Sequence, residues 1–309
     1  MPAPNRLHPC PARALLSASA SGETGLDQDT RRGLGLIAPP FLYAVALLAA
    51  PLATVVLFSF WTQDYLTVDR TLTLANYREV LGDPIYRTLL GRSLAIAGIV
   101  TVITVVLAFP VAYFVSFHVH PSRKALWLFL ITIPFWTSYL LRIFLWKVML
   151  CFNGVINSAL TATGLREEPL TFLLYNANSV VLVLSHAFAP FAILPIFVAL
   201  EKVDRSLLEA ARDLGETAAS TFLRVTLPLA APGILAAALI VFIPTVGDYI
   251  TPQQVGGPGG KMVANFIYEL FFGLNDRPLG SALAVVAMTV VAAIAGLLWW
   301  LSRQLGGTR

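Results

Sequence analysis

Glu201-Lys-Val-Asp-Arg-Ser-Leu-Leu-Glu-Ala-Ala-Arg-Asp-Leu-Gly215-Glu-Thr-Ala-Ala-Ser-Thr-Phe-Leu-Arg224 lies between two long apolar segments. It holds nine charged side chains, in a chain of 309 residues with only 21 Lys and Arg and 17 Asp and Glu. Asp204 can cap a helix over 205–214, with Val203, Leu207, Ala211 and Leu214 on one face at helical spacing. Gly215 can turn left-handed and stop that helix, and Thr217 can cap a second one through Phe222 and Leu223. Pro228 and Pro232 mark the entry to the next apolar segment. Ala210 and Ala211 let another surface approach closely, while Glu209, Arg212, Asp213 and Glu216 ring them with charge. The segment is too short to be a domain. On its residues alone it is either a solvated connection or a docking handle for another protein.

The rest of the chain is strongly apolar. It is 57% hydrophobic and 12% charged, with a mean hydropathy of +0.75. A soluble domain carries about 25% charged residues, so this excess of apolar side chains belongs in a bilayer. Six stretches are long enough to cross it, at 34–61, 93–117, 125–149, 179–200, 225–247 and 280–302. Each is expected to be helical, because an unpaired strand in lipid leaves backbone groups unsatisfied. The fold class is therefore an all-α membrane protein with six transmembrane helices. Pro51, Pro110, Pro134, Pro190, Pro195 and Pro244 fall inside spans, where membrane helices tolerate kinks.

Lys and Arg set the expected orientation. With a cytoplasmic N-terminus, the inner segments 1–33, 118–124, 201–224 and 303–309 hold 12 basic residues in 71 positions. The outer segments hold 7 in 92, and Arg31-Arg32 directly precedes the first span. Both termini and the 201–224 loop are then cytoplasmic. The same bias accounts for the net charge of +4, since no basic stripe suggests nucleic acid. Residues 1–33, rich in Ala, Ser, Pro and Gly, read as a disordered cytoplasmic tail, and 303–309 as a second tail. Cys10 and Cys151 fall on opposite sides of the membrane, so no disulfide is expected between them, and no Cys/His cluster suggests a metal.

Glu209-Ala-Ala-x3-Gly215-x9-Val225-x-Leu227-Pro228 resembles the EAA loop of ABC-importer membrane subunits, departing only by Val for Ile. Tyr86-x-x-Leu89-Leu-x-x-Ser93-Leu94, Pro110-Val-Ala112-Tyr113 and Pro134-Phe-Trp-Thr-Ser138 are similar to the polyamine (spermidine/putrescine-type) branch. So are Asn153-Gly154-Val-Ile-Asn157, Leu200-Glu-Lys-Val-Asp204 and Gly247-Asp-Tyr-Ile-Thr-Pro252. The tail and Cys151-Phe152 depart from that pattern. The resemblance implies the type I importer permease architecture, with 201–224 as a coupling loop. Glu209, Ala210, Ala211, Arg212, Asp213, Leu214 and Gly215 would then contact a cytoplasmic ATPase. It further implies an ATPase dimer, a second permease subunit forming a hetero- or homodimer, and an external solute-binding protein. No cofactor is expected on this chain itself, with ATP and Mg used by the partner ATPase. The expected location is the bacterial inner membrane.

Within the spans, Arg142 is a mid-membrane charge. It either pins two helices together or meets a substrate carboxylate. Asp248-Tyr249, at the end of the fifth span, suits an ammonium group by ion pairing and cation–π attraction, or is a wetted helix end. Trp136 and Tyr139 either line the path or pack. Glu269 is a weaker candidate, and Lys147 can snorkel outward. Gly256-Gly-Pro-Gly-Gly-Lys261 fails as a phosphate loop and reads as a flexible outer turn. His118-x-His120 lacks further metal ligands.

The sequence therefore predicts the permease subunit of an ATP-driven importer, carrying a polyamine or another solute such as an opine or amino-acid derivative. A stand-alone ion-coupled transporter needs several ionisable relay residues inside spans, and only Arg142 qualifies. An intramembrane enzyme needs a nucleophile or metal cluster there, and His186 stands alone.

Overall fold

The computed structural model describes the backbone over residues 12–306, apart from positions 66 and 167, and side chains over 33–300 apart from the same two. Helix α1 (Ala12–Phe58) runs unbroken through Pro39, Pro40 and Pro51. Its Gly33–Phe58 part is long and apolar enough to cross a membrane. Leu36, Leu42, Leu48 and Leu52 are exposed on it, as lipid-facing side chains are. Over 12–33 the helix replaces the disordered tail expected from the sequence; residues 1–11 lie outside the described residues. Positions 12–20 are rich in Ala and Leu, strong helix formers, which outweighs the Ser content.

Val55–Arg309 is a second compact unit. It opens with a hairpin of β1 (Thr62–Asp64) and β2 (Thr67–Asp69), in which Thr62 faces Asp69 and Asp64 faces Thr67. This is the only sheet among the described residues. Helix α2 (Ala75–Gly82) is followed at once by α3 (Pro84–Phe117). Asp83 accepts the Ile85 N–H at 2.7 Å, and Pro84 fills the first helical position. The second span thus begins well before residue 93, because Arg87 and Arg92 interrupt its apolar run without interrupting the helix.

The third span is not one helix. Helix α4 (Pro121–Thr132) gives way to a single 3-10 turn, Ile133–Trp136, and to extended backbone at Thr137 and Ser138 before α5 (Tyr139–Leu150). Pro134 donates no N–H, and the Thr137 hydroxyl donates to the Pro134 carbonyl at 2.7 Å. A turn at 151–154 leads into α6 (Val155–Ala162). Tyr139–Ala162, which runs on across that turn, is also long and apolar enough to cross a membrane.

Helix α7 (Ala177–Glu201) is capped by Asn176, which accepts from Asn178 and Ser179. The short α8 (Arg205–Asp213) and α9 (Ala218–Thr221) follow. A π turn, Phe222–Thr226, joins α9 to α10 (Leu227–Val246), so Ala218–Val246 is one continuous span. Pro228, lacking an N–H, removes one ladder bond just after that turn. A second π turn, Pro252–Gly256, precedes α11 (Gly257–Gly260), α12 (Val263–Phe272) and α13 (Arg277–Gly306). The glycine-rich segment is packed rather than a flexible turn. Gly256 and Gly260 are buried, and the Tyr175 N–H donates to the Val255 carbonyl at 2.9 Å.

The core is a three-helix arrangement of α3, α7 and α10, built from Val100, Ala108, Ala112, Leu184, Ile196 and Val241 among others. A second cluster, including Phe242, Val263, Leu270 and Leu283, holds α12 and α13 against α3 and α10. Lipid is as apolar as leucine, so close packing of small residues must hold such helices together. At Gly233 a Cβ would overlap the Ala199 methyl and the Pro195 carbonyl of α7. Gly233→Val is therefore expected to cost about 1–3 kcal/mol or more by overpacking. Its thermal unfolding in detergent should fall clearly below the parent's. Gly98→Ala is the control, since nothing lies within 4 Å of its added Cβ.

Candidate functional site

Two places carry chemistry. The first is the 204–226 segment. The Asp204 carboxylate accepts the Ser206 N–H at 2.9 Å and starts α8. Hydrogen bonds from Ser206 hold that carboxyl below the usual carboxylate range. At the other end Gly215 has a φ of 84°. Its N–H donates to Arg212 O at 2.9 Å, and the Glu216 N–H donates to Ala211 O at 3.1 Å. This pair of bonds is a Schellman stop. Thr217 then caps α9 by accepting from Ser220 at 3.2 Å. Hydrogen bonding from Ser220, aided by Arg224, holds the Glu216 carboxyl below its usual range.

No residue of α8 is buried. Glu209, Ala210, Arg212, Asp213, Leu214 and Gly215 are exposed, and Ala211 is half-buried. Leu214 is 85% exposed and Leu207 48%. A capped, sharply terminated helix with bare leucines and alanines among charges is a ready-made contact surface.

The second place is a cavity of about 530 Å³ at the break in the third span. Tyr139 and Arg142 of α5 face Asp248 and Tyr249, which follow α10. Arg142 and Asp248 are each 8% exposed. The Tyr139 hydroxyl donates to Asp248 Oδ2 at 2.6 Å and lies 2.9 Å from the Thr251 hydroxyl. Asp248 Oδ1 accepts the Ile250 N–H at 3.0 Å. Arg142 donates to Ala187 O and to Thr137 O, both at 3.3 Å, while its Nε has no partner among the described residues. It thus ties α5 to α7 and steadies the break. No ion pair joins it to Asp248 among the described residues. Tyr249 stacks on Tyr268, with ring centres 5.1 Å apart at 10°.

Four of the five path residues predicted from sequence therefore meet. Trp136 does not join them; it is 78% exposed and does not line the cavity. Phe188 and Phe191 complete the wall and were missed, although their three-residue spacing on a Pro-containing helix is a usable signal. Lys147 donates to Gln254 at 3.2 Å rather than only snorkelling. A larger neighbouring cavity, of about 640 Å³, has no ionisable lining apart from Tyr249 and Tyr268. Among the described residues no group of three or more His, Cys, Asp or Glu is placed to hold a metal.

Six apolar helices, a broken span and a charge-bearing cavity define a polytopic helical membrane permease. The profile of the family described as "binding-protein-dependent transport system inner membrane component" matches residues 98–303. The chain belongs to that family and is a multi-pass inner-membrane transport subunit. It is 36% identical over 248 residues to the spermidine/putrescine transport system permease protein PotB of Escherichia coli (strain K12), covering 80% of this chain and 89% of that protein. It is 34% identical over 275 residues to the inner membrane ABC transporter permease protein YdcU of the same strain, covering 84% and 87%. A chain in the crystal structure of a bacterial ABC transporter that imports alginate superposes with a TM-score of 0.69 at 17% identity, over 90% of this chain and 98% of that one. A chain of the inward-facing MetNI methionine ABC transporter superposes with a TM-score of 0.53 at 18% identity, over 72% and 95%.

Proposed function

We propose that this chain forms half of the translocation path of an ATP-binding-cassette importer for polyamines. The observation that carries this reading is the 36% identity, over 80% of the chain, to a spermidine/putrescine permease. In this reading a cytoplasmic ATPase dimer supplies ATP and Mg chemistry, a second permease chain completes the path, and an external binding protein delivers solute. Both termini and α8 face the cytoplasm, as the Lys and Arg distribution favours. Helix α8 seats on the ATPase through Glu209–Gly215. ATP and solute each bias one of two arrangements of the spans.

The cavity fits a cation on one side. Asp248 presents a buried carboxylate between Tyr139 and Tyr249, and an ammonium there gains an ion pair and aromatic faces. One observation favours a second cargo. The positive charge of Arg142 in the cavity lining would attract a carboxylate, as an opine or amino-acid derivative would bring. ATP-driven uptake into proteoliposomes by the full complex with its binding protein decides between them. Labelled spermidine and putrescine should accumulate, with an opine competing poorly. Uptake of the opine alone would overturn the polyamine reading and leave the importer architecture standing.

A further inference from the structure

A single carboxylate ties the base of α8 to two other helices. Glu201, the last residue of α7, accepts through Oε1 from Lys124 Nζ at the start of α4, at 2.6 Å. The same oxygen accepts from the Ser116 hydroxyl near the end of α3, also at 2.6 Å. Ser116 is 1% exposed, and its carbonyl accepts from Arg205, the first residue of α8, at 3.3 Å. The Lys124 side chain is only 12% exposed, against 74% for Arg224 in the Arg224–Glu216 pair. The two carboxylates are equally exposed, at 36% and 35%, so solvent screens the Lys124–Glu201 pair less only on its lysine side. Between Glu201 and Arg205 the chain is held tightly. Lys202 and Val203 N–H donate to Ala199 O and Leu200 O, each at 3.2 Å, and Val203 is buried.

The two helices joined by the Lys124–Glu201 pair, α4 and α7, lead to the cavity. Helix α4 runs into the break at 133–138 and then directly to Tyr139 and Arg142. Helix α7 carries Ala187, whose carbonyl receives Arg142. A displacement of α8 reaches the cavity walls through these two helices, and a hinge of extended residues at Thr137-Ser138 can absorb the change in angle.

We infer that the Ser116–Lys124–Glu201–Arg205 cluster is the joint that transmits movement of α8 to the third span, with Lys124 and Glu201 as positioning residues for coupled transport. This rests on the reading that α8 docks on the ATPase. Movement at α8 then changes the opening at Tyr139 and Arg142 only while α4 remains held to the end of α7.

The test uses the full complex in proteoliposomes, reading solute carried per ATP hydrolysed together with ATPase retention on gel filtration. Glu201→Gln and Lys124→Gln are each expected to lower that ratio by roughly threefold or more, as coupling mutations do, with the ATPase still bound. The charge-exchanged pair Lys124→Glu with Glu201→Lys should recover most of it. A variant that merely weakens the fold lowers uptake and hydrolysis together and leaves the ratio unchanged. If Glu201→Gln does not fold, Ser116→Ala replaces it, with a smaller drop expected. An unchanged ratio in the single variants overturns the joint. So does loss of the ATPase from them, because the residues would then belong to the docking surface. The docking reading fails separately if Glu209→Lys and Leu214→Asp keep the ATPase bound.

Discussion

Gly215→Pro is expected to abolish both ATPase association and ATP-driven uptake while the spans still fold. Gly215 has a φ of 84°, and proline is locked near −65°, so the two conformations exclude each other. Proline also removes the N–H that donates to Arg212 O at 2.9 Å, one of the two bonds that end α8. The helix would then lose its stop, and Glu209, Ala210 and Leu214 would leave their fixed relation to Thr217 and α9. Crowding is not the cause, since nothing lies within 4 Å of an added Cβ at this position. Gly215→Ala therefore isolates the backbone term. Left-handed backbone costs an L residue about 1–2 kcal/mol, which predicts a partial loss of roughly tenfold in association. The measurement is co-purification of the ATPase from detergent, followed by uptake. Full retention of the ATPase with Gly215→Pro would sink the docking role of α8.

The caps and stop of this segment were legible because they are local chemistry. Asp204, Gly215 and Thr217 each act within four residues of their own position, and the structure finds each in its expected role. The six apolar runs were legible for a similar reason, since hydropathy averages over one helix at a time. What escaped depends on partners far along the chain. The break at 133–138 is supported by Arg142, which donates to the Thr137 carbonyl and to the carbonyl of Ala187 on another helix. A hydropathy window sees 125–149 only as apolar. Tyr139 and Asp248 are 109 residues apart, and Ser116 and Glu201 are 85 apart. Asp248 was visible as a charge beside an aromatic ring, but not as one already held by a tyrosine. Trp136 stands apart from Tyr139 because the turn that carries it is 3-10 and then extended, not helical. Gly256–Lys261 read as flexible because composition does not show that Val180 and Asn176 close over its glycines.

Asp248→Asn is expected to cut cation uptake by at least about tenfold without disturbing assembly, since losing one partner of a buried charge pair costs about 2–5 kcal/mol. The substitution keeps the shape of the side chain. Its carbonyl oxygen can still accept the Ile250 N–H, which Asp248 Oδ1 accepts at 3.0 Å, so the chain after α10 stays folded. What disappears is the negative charge. In the parent the Tyr139 hydroxyl donates to Oδ2 at 2.6 Å, and among the described residues Thr251 is the only other polar side chain on that hydroxyl. An arriving ammonium therefore competes at Oδ2 with one neutral donor, on a carboxylate that is 8% exposed, where water screens the attraction weakly. Asparagine offers only a dipole in the same place. Tyr139→Phe separates the two contributions. It frees Oδ2 and leaves the charge, so the apparent KM for spermidine should stay within a few-fold of the parent's or fall. With Asp248→Asn it should rise steeply, while a neutral or carboxylate-bearing solute is carried no worse. Uptake of spermidine at the parent's rate and KM by Asp248→Asn would remove this carboxylate from the path and leave Arg142 as the charge that selects the cargo.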